Sequence, residues 1–331
     1  MKYILIGGSG FIGQHFKKAL KDDLILNLDI SSGINNSEFK YCDINQDINF
    51  SLDLTEYESI TIIHLAAVHF DFQQEYFKTN VEGTRNVLNW ISKQKNITNY
   101  VFFSSVATYG ESIQEKNEND SQQPYNDYGK SKLEAEKLIL KWTKKTPKIK
   151  VAIVRPAVVF GEYNFGNVFN FLSQIRSGLF AIIGDGKNIK SIAYAPNLVK
   201  SVLYVINNIN DNLFIYNYSD YPQLSIEKQA KILSALSGKR APFKIPLTLT
   251  KLITVPIDIL EKLLGKDLKI NSMRVKKFTV PTYFNADLIR NRGFIQEYSI
   301  EDAYGRTLHW MTKTSNIDEL RRKWYDSASK L

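Results

Sequence analysis

Seven residues near the start of the chain, Gly7-Gly8-Ser9-Gly10-Phe11-Ile12-Gly13, constrain the fold more than any other stretch. They follow Tyr3-Ile4-Leu5-Ile6, an unbroken apolar run of the kind buried on both faces of a parallel sheet, and they open a helical pattern that reaches Leu20. Gly7 suits a tight turn, Gly10 lets a pyrophosphate come close to the backbone, and Gly13 lets the helix pack closely on the strand. The free N–H groups of the helix start then face the phosphates, with Phe11 and Ile12 in the same turn. A glycine-rich turn alone is common in loops. The strand before it and the helix after it make this one a dinucleotide site.

A second strand, Leu24 to Leu28, delivers Asp29 to its carboxyl end, where a carboxylate accepts from ribose hydroxyls and repels a 2'-phosphate. That favours NAD over NADP. The alternative is an aspartate serving the turn that Ser31-Ser32-Gly33 implies. A short third strand ends at Asp43-Ile44, placed for the adenine edge. The fourth ends in Leu65-Ala66-Ala67, whose small side chains admit a cofactor, and a helix over about 75–93 carries Asn80 near its start. The fifth strand exits at Ser104-Ser105 and the sixth at Arg155-Pro156. Alternating strands and helices predict an α/β, Rossmann-like doubly wound parallel sheet. The rhythm loosens after Gly161. Residues 1–160 with about 188–220 are expected to form the NAD-binding part, and about 161–187 with 221–331 a smaller mixed lobe with C-terminal helices.

Tyr128 and Lys132 stand four apart at the opening of a strong helix pattern, so they share one face. An ammonium there would favour the phenolate and draw the tyrosine toward neutrality as an acid/base. The plain alternative is an aromatic anchor beside a solvated charge.

Cys42 is the only cysteine among 331 residues, which excludes an internal disulfide, and the four histidines lack metal-ligand spacing. The start of the chain lacks a signal-peptide pattern, and no run is long enough to span a membrane, so a cytoplasmic protein is expected. The formal charge of +9 fits an anionic small ligand, a nucleic acid or an acidic membrane surface. The lysines lack the interleaved aromatics of a single-strand binder, which argues against nucleic acid. The run from Pro246 to Leu268 is apolar on one side and basic on the other, interrupted by Pro256. Helices covering the lobe or a subunit contact are its ordinary reading, and a membrane-surface element is the secondary one.

Together these motifs closely resemble the extended short-chain dehydrogenase/reductase superfamily, in its nucleotide-sugar epimerase/dehydratase branch. The resemblance spans essentially the whole chain and rests on Gly7 to Gly13, Asp29, Asp43, His64 to Ala67, Asn80 to Thr84, Ser104-Ser105, Tyr109-Gly110, Tyr128 to Lys132 and Arg155-Pro156. It implies that Ser105 holds the substrate oxygen, that Tyr128 moves the proton, and that Lys132 holds the nicotinamide ribose and lowers the tyrosine pKa. It also implies that Arg155 lies on the nicotinamide side, that Lys190 falls where an arginine commonly meets a diphosphate, and that the enzyme is a homodimer. Arg274 and Asn167 are further phosphate-side candidates, with surface charge as the plain alternative for Arg274.

Dehydratases of the branch place an Asp-Glu pair after the catalytic hydroxyl. Here Val106 and Ala107 stand there and transfer no proton, so the sequence favours hydride chemistry at one carbinol. The expected activity is 4-epimerisation of a UDP-hexose or UDP-N-acetylhexosamine. A dehydrogenase or ketoreductase using the same residues is the alternative, and a non-catalytic NAD-binding regulator a remote one.

Overall fold

The computed structural model describes residues 1–32, 38–69, 75–111, 113–264 and 272–330. Strand β1 (Lys2–Ile6) runs into α1 (Phe11–Leu20), and β2 (Leu24–Asp29) is followed by the short β3 (Phe39–Tyr41). After β4 (Ile60–His64) a π-helical turn, Lys78–Gly83, leads into α2 (Thr84–Ile91). Next come β5 (Ile97–Phe103), α3 (Asp127–Thr143) and β6 (Lys150–Pro156). The second half holds β7 (Val158–Phe160), α4 (Asn167–Ser177), β8 (Ile182–Ile183), β9 (Ile192–Tyr194), α5 (Ala195–Asn208), β10 (Leu213–Tyr218) and α6 (Ile226–Leu236). It closes with β11 (Lys244–Ile245), α7 (Leu247–Leu264), α8 (Ser272–Thr279), α9 (Asp287–Asn291), α10 (Ile300–Lys313) and α11 (Ile317–Lys330).

Seven strands form one parallel sheet in the order β10-β6-β5-β4-β1-β2-β3. The direction of winding reverses between β1 and β4, and a ligand crevice opens at the carboxyl ends of such a pair. Apolar strands require cover on both faces. On one side Phe16 and Leu20 of α1 pack with Leu198, Val202 and Val205 of α5. On the other, Val87 and Ile91 of α2 pack with Ala135 and Ile139 of α3. The sheet is therefore doubly wound. Its outermost strand β10 arrives from beyond α4 and α5 and pairs with β6 over its whole length, from Leu213 beside Val151 to Tyr218 beside Pro156.

A smaller lobe has its own apolar centre, in which Phe169 and Leu172 of α4, Ala230 and Leu233 of α6, and Tyr304 and Leu308 of α10 meet. Its helices start where the sequence marks caps. Ser225 Oγ accepts from Lys228 N, and Ser299 forms a reciprocal capping box with Asp302. Pro256 does not interrupt α7, contrary to expectation; the helix runs through it. The carbonyl that a proline leaves unpaired is four residues back, at Leu252, whose position is 73% exposed, so water can satisfy it.

Candidate active site

The glycine turn closes at the switch point. Gly7 has φ of +83°, and a Cβ there would lie 2.4 Å from Ala66 N, because Leu65 N and Ala66 N both donate to Ile6 O. A Cβ on Gly13 would lie 2.3 Å from Gly8 O, so this glycine lets the first turn of α1 close on the loop. Gly10 differs: a Cβ there meets nothing nearer than 3.6 Å inside the protein. Internal packing does not require glycine at that position, whereas a phosphate approaching from outside does. Phe11 and Ile12 form the first residues of α1, and the donors of this turn face the crevice.

Asp29 ends β2 with its carboxylate already oriented. Oδ2 accepts from Ser9 N at 2.9 Å, tying it to the glycine turn, and Oδ1 accepts from Ser31 N at 3.2 Å. The cofactor and turn readings of this residue are thus compatible. Asp43 makes a local turn of the same kind with Asn45 N at 2.9 Å, while Ile44 is buried where a Cβ on Gly83 would strike it. Asn80 lies inside the π-helical turn, its amide exchanging 2.9 Å hydrogen bonds with Val68 N and O and donating to Ser131 Oγ. It fastens the segment after β4, which carries Ala67, to α3.

Ser105, Tyr128 and Lys132 come together between β5 and α3. Ser105 caps a 3-10 turn, Val106–Tyr109, by accepting from Ala107 N at 3.1 Å. Helix α3 begins at Asp127, capped by Asn126 Oδ1 on Gly129 N, so Tyr128 sits in its first turn. A Cβ on Gly129 would lie 2.5 Å from Ala107 O. That glycine lets α3 approach the Ser105 turn closely, which brings the Ser105 hydroxyl to bear on the Tyr128 phenol. Loss of water pushes the phenol up to about 12, and the Ser105 hydrogen bond opposes the rise. Lys132 is 2% exposed, donates from Nζ to Phe103 O at 2.8 Å, and lies 4.8 Å from the Phe102 ring centre. Burial lowers its pKa to about 7, with the Glu136 charge opposing. At the phenol Ser105 opposes the rise, and the lysine is a desolvated amine held on a carbonyl.

Arg155 also departs from expectation. Instead of lining the cofactor crevice it is buried, donating from Nε and Nη2 to Glu136 at 3.0 and 2.7 Å and from Nη1 to Tyr109 Oη at 2.7 Å. Tyr109 Oη passes its own proton to Asn217 Oδ1 at 2.9 Å, and Ser104 Oγ donates to Glu136. This buried set joins the ends of β5, β6 and β10 to α3 directly behind the catalytic candidates. The one sequence signal for it is Glu136, four residues beyond Lys132 on the same helical face.

The substrate-side candidates lie on separate segments of the second half. Asn167 is exposed at the first position of α4. Lys190 donates to Val280 O just past α8, with burial lowering its pKa to about 8. Arg274 lies on α8, but its side chain falls outside the described residues.

A model of the NAD dependent epimerase/dehydratase family matches residues 3–217, from β1 into β10. The chain belongs to that family. Membership makes it an NAD-dependent enzyme of epimerase/dehydratase chemistry, and the glycine turn, its outward-open Gly10 and the oriented Asp29 fit the cofactor. This family member is 37% identical over 327 residues, 96% of this chain and 97% of the relative, to an N-acetyl-alpha-D-glucosaminyl-diphospho-ditrans,octacis-undecaprenol 4-epimerase of Escherichia coli O157:H7. It is 27% identical over 286 residues, 79% of this chain and 85% of the relative, to a UDP-glucose 4-epimerase of Vibrio cholerae. Its fold resembles that of UDP-N-acetylglucosamine 4-epimerase from Bacillus cereus with a TM-score of 0.70, at 18% identity, covering 95% and 98% of the two chains.

Proposed function

We propose that the protein is a 4-epimerase of an N-acetylhexosamine joined through a diphosphate to a polyprenyl carrier. The reaction rests on one observation above others. Ser105 acts on the Tyr128 phenol, Lys132 stands one helical turn further along α3, and the adjoining Val106 and Ala107 carry no group able to move a proton. Such a site supports reversible oxidation of one carbinol and lacks the acid/base pair needed to expel water. The carrier is inferred from the 37% identity, over nearly the whole of both chains, to the relative named for an undecaprenyl-diphosphate sugar.

In this reading the Tyr128 phenolate takes the proton of the 4-hydroxyl and, as the phenol, later returns it, while Ser105 Oγ hydrogen-bonds the same oxygen. Lys132, charged once a polar ligand shares its pocket, stabilises the phenolate. Bound NAD supplies the hydride acceptor and donor at C4. Gly7 to Gly13 and Asp29 would hold the cofactor. Inversion requires the 4-keto sugar to turn over before reduction, so the lobe must grip the diphosphate while leaving the ring free.

A UDP-N-acetylhexosamine is the second reading, favoured by the fold likeness to the UDP-sugar enzymes. Purified enzyme should be incubated with polyprenyl-diphospho-N-acetylglucosamine and, separately, UDP-N-acetylglucosamine, and the released sugars separated. N-acetylgalactosamine from the lipid-linked substrate, without net NADH, is expected. Conversion of the UDP-sugar alone would transfer the reading to the nucleotide, and stoichiometric NADH would replace epimerisation with dehydrogenation. Tyr128→Phe should retain NAD and lose about a thousandfold in turnover.

A further inference from the structure

Among its described residues, helix α7 buries threonines and exposes leucines. Thr250, Thr254 and Asp258 are spaced by four and form one stripe, and that polar stripe faces the protein. Thr250 is 7% and Thr254 1% exposed, whereas Leu247, Leu249 and Leu252 on the same helix are 39%, 48% and 73% exposed. The inward contacts are polar. Ser272 of α8 donates from Oγ to Thr254 Oγ1 at 3.0 Å and from N to Asp258 Oδ1 at 2.9 Å, while Thr250 Oγ1 donates within its own helical turn to Pro246 O at 3.1 Å. A surface helix in water has the opposite arrangement, with its apolar stripe on the core. Phe243, 68% exposed immediately before β11, extends the apolar face.

The charge around this face is equally lopsided. Residues 236–280 contain ten Lys and Arg against three Asp and Glu, which accounts for most of the chain's net +9. Lys239 and Arg240 are exposed shortly before β11, and Lys276 is exposed on α8. Leucines directed outward and rimmed by cations complement a surface that is apolar beneath and anionic above.

We propose that α7 and its flanks dock on the surface of an anionic phospholipid bilayer. The leucines enter the boundary between headgroups and acyl chains, and the basic rim meets the phosphates. The helix lies on the membrane and does not cross it: among the described residues no helix is long and apolar enough to span. The inference deepens the proposed function and rests on it for its purpose, since a polyprenyl-linked sugar is presented at such a surface. The docking face is also connected to the catalytic loop. Lys276 Nζ pairs with Glu111 at 3.1 Å, and the segment after α8 brackets Lys116, with Lys116 N donating to Tyr283 O and Asn285 N to Lys116 O. Glu111 and Lys116 belong to the loop that leaves Ser105, so the docked lobe stands next to the site.

Full-length protein would be sedimented with phosphatidylcholine vesicles, with and without phosphatidylglycerol, at low and high salt. Co-sedimentation with the phosphatidylglycerol vesicles at low salt is expected, weakened by high salt. Combined Leu249→Glu and Leu252→Glu should weaken it by about tenfold or more while circular dichroism and NAD binding stay unchanged. Failure of the wild-type protein to bind these vesicles, or undiminished binding by the variant, overturns the proposal. So does a patch occupied by a second copy, read as a wild-type dimer that the variant splits and that ignores vesicles. Salt-sensitive, variant-sensitive vesicle binding by an enzyme that leaves the lipid-linked sugar unchanged supports the docking surface and sinks the proposed substrate instead.

Discussion

Lys132 shows how a residue's chemistry depends on its surroundings more than on its type. On paper it is a cation beside a phenol; in the fold it is a desolvated amine on the Phe103 carbonyl, with a pKa lowered to about 7. In the unfolded chain the same group titrates near 10.5, so below about 7 folding must strip a charge from water, and between about 7 and 10.5 it releases a proton instead. That penalty is complete below the folded value and fades as pH rises above it. Wild-type stability should therefore gain on that of Lys132→Met between about pH 7 and 9, measured by urea unfolding across pH. A flat difference would mean that the amine stays charged in the folded protein. The spacing of Tyr128 and Lys132 was legible in the sequence. The pKa displacement was not, because it comes from loss of water that only tertiary packing of β5 against α3 imposes on the amine.

At the scale of elements, the buried Glu136–Arg155 pair joins α3 to β6, with Ser104 and Tyr109 adding the end of β5. Glu136→Gln leaves the guanidinium buried without its countercharge and should destabilise the protein by about 3–5 kcal/mol in denaturant unfolding. A loss below about 1 kcal/mol would show that water reaches the arginine. The strands and helices themselves were largely readable, because apolar runs and caps are local signals: Ser225 and Ser299 start helices as their positions suggest. Where reading failed, the cause was non-local. Arg155 follows a strand as a cofactor residue would, yet its partner Glu136 is nineteen positions earlier, on another element. Pro256 marks a break by local rules, but Leu252 faces outward and the helix tolerates it.

Across the whole molecule, cofactor binding and stability are linked through one turn. NAD at roughly a hundredfold excess over its Kd should stabilise the protein by about 2.7 kcal/mol, seen as a rise in melting temperature. Gly10→Ala adds a methyl that meets nothing nearer than 3.6 Å within the protein, so the apo melting temperature should hold while the NAD-induced rise shrinks or disappears. An unaltered rise would move the phosphate contact elsewhere. The sheet carries a different consequence, for how the chain is made. Synthesis delivers β6 at residue 156, but its outer edge gains a partner only when β10 follows at residues 213–218. Until then a nascent chain presents a bare, apolar edge strand, the kind that pairs with neighbours. The vulnerable interval in the life of this protein thus falls on the ribosome, over the residues between those two strands, and a chain truncated there should be far more prone to aggregation than one that extends past Tyr218.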